Sequence, residues 1–260
     1  MNDTAQAPTQ KGRSHFTTIR GLRTHARVYG ESHKEAILVI PGLGCAAWMY
    51  RRIARTLSRW RQVWVYDPPG HGFSAGTLAY PAHIGQLTDH LALWMQANRL
   101  AGSPLLGHSL GGEVIIDLAV RYPQLAGPLI ACAPTGIPEN PNVAAQIIRL
   151  TLDLPRERVG LWPYGLASYF RTGPLRFYQL AQDQYNHDTG PLLPLVKSPV
   201  LVINGTADPV IRLWTLLEMA RSIPGARTVE VAGGTHALTD SRPIEVAMHT
   251  LDFLEDLAGR

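Results

Sequence analysis

Short apolar runs alternate along this chain with longer stretches in which apolar residues recur every three or four positions. The runs fall at residues 36–40, 62–66, 104–106, 129–132, 200–203 and 228–231. They interleave few polar residues, which is the pattern of strands covered on both faces. The periodic stretches, at 48–57, 84–98, 112–121, 213–221 and 243–257, have helical spacing. Strand and helix in alternation predict a mostly parallel sheet with helices on both of its sides. Two further runs, 16–20 and 25–30, meet at Gly21 and predict a hairpin that opens the fold. The polar residues before them, 1–15, are expected to be flexible.

Segment 135–194 breaks the rhythm. It contains no convincing strand, prolines recur, and short helical patterns at 143–152 and 175–184 sit among many aromatic residues. A stretch of this length is too long for an ordinary loop. It predicts a helical cap, 135–194, inserted after the sixth strand of a core built from 16–134 and 195–260.

The chemistry centres on Gly107-His108-Ser109-Leu110-Gly111, which lies between an apolar run and a helical pattern. A sharp strand-to-helix turn crowds the backbone on either side of its central residue, so glycine is needed at the flanks while the serine is forced outward. A serine hydroxyl is a weak nucleophile until a base takes its proton, so a histidine and a carboxylate have to arrive from elsewhere. Both do. Asp208 follows the 200–203 run in Asn204-Gly205-Thr206-Ala207-Asp208-Pro209, and His236 follows the last run in Ala232-Gly233-Gly234-Thr235-His236. Both therefore stand at the strand ends where parallel sheets build their sites. Ser109 is expected to be the nucleophile, His236 the general base and Asp208 its orienting partner. Asp240 lies nearer to His236 in the chain, but beside Arg242-Pro243 it is expected to cap the final helix. His187, in the cap, and His249, on the last helix, are not expected to act.

These motifs resemble the α/β-hydrolase family over nearly the whole chain, including Tyr66-Asp67-Pro68-Pro69-Gly70-His71-Gly72-Phe73-Ser74, which is similar to the family's D-x-x-G-x-G-x-S loop. The resemblance implies the α/β-hydrolase fold, a mostly parallel eight-stranded sheet flanked by helices with an inserted helical cap, and the triad Ser109, Asp208 and His236. It also implies that Pro41-Gly42-Leu43-Gly44-Cys45 is the oxyanion loop, with proline where the family commonly has histidine. The backbone N–H groups of Leu43 and Leu110 are then the expected oxyanion donors. Cys45 is expected to be a half-buried packing residue. His71 is expected to brace its loop, and Asp67 to be structural. Of the cap aromatics, Trp162, Tyr169, Phe170, Phe177 and Tyr178 are expected to line the roof of the pocket.

Composition narrows the function classes. The chain is 45% hydrophobic and 17% charged, with a formal net charge of +4. Its densest basic stretch, 51–61, is interrupted by Ile53, Leu57 and Trp60, which is the solvated face of an amphipathic helix more than a nucleic-acid surface. Two cysteines make no disulfide framework, and no close Cys/His cluster has zinc spacing. The expected partner is a small apolar substrate, with no metal or organic cofactor and no nucleic acid. No apolar run is long enough to span a bilayer, and the N-terminus lacks a secretory pattern, so a cytoplasmic location is expected. The expected activity is hydrolysis of a small, predominantly apolar carboxylic ester or lactone through an acyl-enzyme on Ser109. Carbon-carbon hydrolysis of a ring-fission diketone, thioester hydrolysis, and acyltransferase or perhydrolase activity share the same motif. A small-molecule receptor on the same fold is the non-enzymatic alternative.

Overall fold

The computed structural model describes residues 11–77, 80, 81, 83–137 and 143–259. Residues 1–10 of the expected flexible terminus and 138–142 of the expected cap lie outside them. The strands are β1 (Arg13–Ile19), β2 (Leu22–Tyr29), β3 (Ala36–Ile40), β4 (Gln62–Tyr66), β5 (Leu105–His108), β6 (Leu129–Cys132), β7 (Val200–Gly205) and β8 (Arg227–Val231). They form one eight-stranded sheet in the order β1-β2-β4-β3-β5-β6-β7-β8. The hairpin β1-β2 is antiparallel and joins β4 antiparallel; every pairing from β4 to β8 is parallel.

Apolar side chains on alternate positions of β3 serve two cores. Leu38 and Ile40 pack on one side with Leu91 and Trp94 of α2 (Ile84–Ala97) and Ile115 of α3 (Leu110–Arg121). Ile37 and Val39 pack on the other with Ile53 of α1 (Arg51–Leu57) and Phe253 of α9 (Pro243–Ala258). The unbroken apolar runs of β3, β5, β6 and β7 thus have a direct cause, since helices cover both faces. β8 differs because it is an edge strand, and its side chains alternate between partly buried and exposed.

Between β6 and β7 come α4 (Val143–Asp153), α5 (Trp162–Thr172) and α6 (Pro174–Asn186), with short 3-10 turns between them. α5 carries Pro163 and Gly165, which hide a helix from a periodicity search, although proline is well tolerated in a first turn. The core resumes with α7 (Leu213–Ser222), and a single turn, α8 (Leu238–Ser241), precedes α9. β1 begins at Arg13, inside the segment expected to be flexible. The expected helix at 48–57 is a 3-10 turn, Ala47–Tyr50, running into α1, and it ends before Trp60, which is exposed. No helix among the described residues is long and apolar enough to cross a membrane.

Asp240 does not cap the final helix. It sits inside α8 with a buried carboxylate that faces Arg158 of the inserted segment at 3.3 Å and Arg52 of α1 at 3.9 Å. The residue preceding α9 is Arg242, and no side chain caps that helix. Asp240 therefore ties three elements together, a role that depends on cations distant in the sequence.

Candidate active site

Ser109 stands between β5 and α3 with φ 53° and ψ −121°, a conformation L residues seldom adopt. Close packing enforces it. A Cβ on Gly107 would fall 2.3 Å from the Gly111 carbonyl oxygen, and one on Gly111 would fall 2.2 Å from that of Ile40. No side chain fits at either flank, so the serine is held at the strand end and the helix starts directly behind it.

The structure brings the three expected residues into one hydrogen-bonded line. Ser109 Oγ lies 3.2 Å from His236 Nε2, and His236 Nδ1 lies 3.0 Å from Asp208 Oδ2. The other carboxylate oxygen of Asp208 accepts the N–H groups of Val210 and Ile211 at 2.7 and 3.0 Å. Burial opposes the charge on Asp208, but His236 and these backbone donors outweigh it and hold the carboxyl below its ordinary range. For His236 burial alone would favour the neutral ring. Asp208, with Asp153 and Glu157 behind it, reverses that and raises the imidazole above its ordinary value.

Gly42 and Leu43 border the same pocket as Ser109. Leu110 opens α3, where a helix leaves its first N–H groups unused. Among the described residues neither Leu43 N–H nor Leu110 N–H has a backbone acceptor. The loop is anchored without the missing histidine. Gly42 N–H donates to Tyr50 Oη at 2.8 Å, Tyr50 Oη meets His108 Nδ1 at 2.9 Å, and His108 Nε2 meets the His236 carbonyl oxygen at 2.9 Å. Because the phenol accepts from Gly42, it donates to Nδ1, which leaves the proton on Nε2 for the carbonyl. Burial depresses His108 to about 4, so the ring is neutral and can play both parts. Tyr50 and His108 thus join the Gly42 loop to the His236 loop. Their spacing in the chain gives no sign of it, although His108 lies inside the elbow motif itself.

The pocket is a cavity of about 230 Å³ bordered by Met49, Leu150, Leu154, Leu161 and Leu166 as well as the groups above. Trp162 and Tyr169 border it as expected. Phe170 and Tyr178 do not; they are exposed, Phe170 at 89%. On α5 the positions 162, 165, 166 and 169 form one stripe that faces the cavity, and Phe170 falls off its edge. Phe177 stands behind the wall, edge-on to Tyr169 at 5.5 Å, and both rings lie over Gly44. Cys45 is more buried than expected, at 7% exposure, and burial pushes its thiol up to about 12, which keeps it protonated and inert.

Several further polar groups brace the loops and helices around the site. Asp67 accepts the N–H groups of Ala47 and Phe73 at 2.6 and 2.9 Å and pairs with His25 at 2.7 Å. His71 turns its Nδ1 to the Pro69 carbonyl oxygen at 3.1 Å, bracing its own loop, and burial lowers it to about 4. His187 lies 3.2 Å from the buried Glu113 of α3, which also accepts from Gln184 of α6, so these groups fasten the inserted helices to the elbow helix. Among the described residues there is no group of three or more His, Cys, Asp or Glu placed to hold a metal ion.

The fold is matched by comparison with known proteins. Residues 37–249 fit the profile of the alpha/beta hydrolase family. The chain belongs to the α/β-hydrolase family. Among characterised sequences this α/β hydrolase is similar to the magnesium-chelatase 30 kDa subunit of Rhodobacter capsulatus. They share 24% identity over 255 residues, covering 87% of this chain and 89% of that protein. Among solved structures it is similar to a bacterial membrane phospholipase A, with a TM-score of 0.84 and 19% identity, covering 96% of this chain and 88% of that one. It is also similar to the enol-lactonase of Burkholderia xenovorans LB400, with a TM-score of 0.81 and 25% identity, covering 93% of this chain and all of that one.

Proposed function

We propose that this α/β hydrolase cleaves small, predominantly apolar carboxylic esters or lactones through an acyl-enzyme on Ser109. The observation that carries this reading is the line from Ser109 Oγ through His236 to Asp208, which opens into an apolar cavity beside two backbone N–H groups, of Leu43 and Leu110, that have no backbone acceptor among the described residues. The likeness to an enol-lactonase agrees with it.

In the proposed reaction Ser109 Oγ attacks the carbonyl carbon while His236 Nε2 takes its proton. The carbonyl oxygen gains the negative charge and receives hydrogen bonds from Leu43 and Leu110 N–H. Collapse of this intermediate breaks the bond to the alcohol oxygen, which takes the proton from His236. Water then attacks the acyl carbon with His236 again as base, and the acid leaves with Ser109 restored. Asp208 keeps the ring in the tautomer that leaves Nε2 free to accept.

Activity requires a neutral His236, so kcat/KM falls as pH drops through its pKa. Because that value is raised, the acid limb is expected above the point of about 6.5 where a free imidazole titrates. A pH profile with a neutral ester measures it. Replacing Tyr50 by Phe leaves the Gly42 N–H without its acceptor and His108 without its donor. We expect kcat to fall roughly tenfold through the loosened oxyanion loop and stability to fall by about 1–3 kcal/mol. Kinetics and thermal unfolding on one preparation read the two effects.

The reading is tested with p-nitrophenyl esters of increasing acyl length under multiple turnover. Steady release of nitrophenolate with an optimum at a short or medium chain supports it. A folded protein that turns over none of them, but cleaves a ring-fission diketone, would move the activity to carbon-carbon bonds. A protein that only binds ligands would be a receptor.

A further inference from the structure

Two carboxylic acids border the reaction pocket and have no part in the mechanism above. Asp153 ends α4 and Glu157 follows one turn later; they are 4% and 8% exposed, and both line the cavity with Ser109 and His236. The pair rests on the loop that carries the catalytic histidine. Glu157 Oε1 accepts the Ala237 N–H at 2.8 Å, Thr235 also meets Glu157, and the His236 backbone meets Asp153. Asp153 Oδ1 and Glu157 Oε2 remain, buried and, apart from the hydrogen bond between the two carboxyl groups themselves, without a partner among the described residues. Arg158 and Arg52 are engaged by Asp240.

The two acids interact with each other. Burial first, and then the neighbouring Asp153, push Glu157 up to about 8, and burial also raises Asp153. Two adjacent buried carboxylates resist ionising together, so the pair favours a state that shares one proton and carries one negative charge. Leu150, Leu154, Leu161 and Leu166 line the same cavity with apolar surface, where charge is felt more strongly than in water.

We infer that Asp153 and Glu157 form a specificity subsite that takes a cationic hydrogen-bond donor on the substrate, an ammonium group, and turns away substrates that present a carboxylate there. An ammonium supplies donors beyond the single proton that the two acids share, in charge-assisted hydrogen bonds. The rings of Trp162 and Tyr169 on the same cavity wall are compatible with a cation. A carboxylate would meet like charge in an apolar enclosure. The inference rests on reading the pocket as an ester or lactone site and specifies which esters it selects.

The test uses three p-nitrophenyl esters of equal acyl length that end in ammonium, methyl or carboxylate. The expected order of kcat/KM at pH 7 is ammonium, methyl, carboxylate, with at least about tenfold between the first and last. In the Asp153→Asn/Glu157→Gln variant that ratio is expected to fall to within about threefold. A ratio taken within one enzyme cancels any change in the basicity of His236. Calorimetry on Ser109→Ala with n-pentylammonium and pentanoate reads the same preference without turnover. The amine is expected to bind at least about tenfold tighter, and the advantage is expected to vanish when the two acid substitutions are added. Equal binding of amine and acid, or tighter binding of the acid, overturns the inference. Flat ester ratios beside brisk hydrolysis overturn it while leaving the proposed function standing. A binding preference without ester hydrolysis keeps the subsite and removes the proposed reaction.

Discussion

Replacing Ser109 by alanine is expected to lower kcat/KM for a neutral ester by at least about a thousandfold, because the reaction loses its nucleophile and retains only binding and the oxyanion donors. The fold should be almost unaffected. Alanine fits the backbone that Gly107 and Gly111 impose, and the hydroxyl it removes has one side-chain partner, His236 at 3.2 Å. A stability change within about 1 kcal/mol is expected. Steady-state kinetics with circular dichroism melting on the same sample separates lost chemistry from lost structure. A folded alanine variant with wild-type turnover would remove Ser109 from the reaction.

Asp208→Asn should have a comparable effect by a different route. Asparagine is nearly isosteric, and its carbonyl oxygen can still accept from Val210 and Ile211, which hold it at 2.7 and 3.0 Å in the native protein. Its amide nitrogen then faces His236 Nδ1. That group donates, so the ring must move its own proton to Nε2, where it can no longer accept from Ser109. A fall in kcat of about ten-thousandfold is expected, with KM changed much less. Loss of the negative charge also lowers the His236 pKa, so the acid limb of the remaining activity should shift to lower pH. An Asn variant with near-normal kcat would show that the orientation of His236 does not depend on Asp208.

Much of this arrangement was legible because the motifs sit on sheet geometry. Once the runs at 104–106, 200–203 and 228–231 are read as parallel strands, Ser109, Asp208 and His236 have to emerge at the same edge, however far apart they are in the chain. Glycine also speaks clearly here, since Gly107 and Gly111 mark where backbone meets backbone. What stayed hidden depends on contacts between elements. Helical spacing tells which residues share a face but not which face meets the cavity, so Phe170 and Tyr178 read the same as Trp162 and Tyr169. A proline and a glycine in α5 concealed the helix that decides between them. Tyr50 looks like an ordinary aromatic of the segment before α1 until folding sets its hydroxyl between Gly42 and His108. Asp240 looked like a cap because the Arg52 and Arg158 that engage it are distant in the sequence. Asp153 and Glu157 gave no signal at all, because acids one helical turn apart are commonplace on solvated surfaces and only the packing of α4 over the His236 loop buries them.

A covalent acyl-enzyme on Ser109 Oγ can be detected directly. The protein is mixed with a p-nitrophenyl ester, quenched in acid within the first turnovers, digested and analysed by mass spectrometry. One acyl group is expected on the peptide containing Ser109, absent in Ser109→Ala and discharged by water when the quench is delayed. Catalytic release of nitrophenolate with no adduct at Ser109, or with the acyl group on another residue such as Cys45, would contradict it.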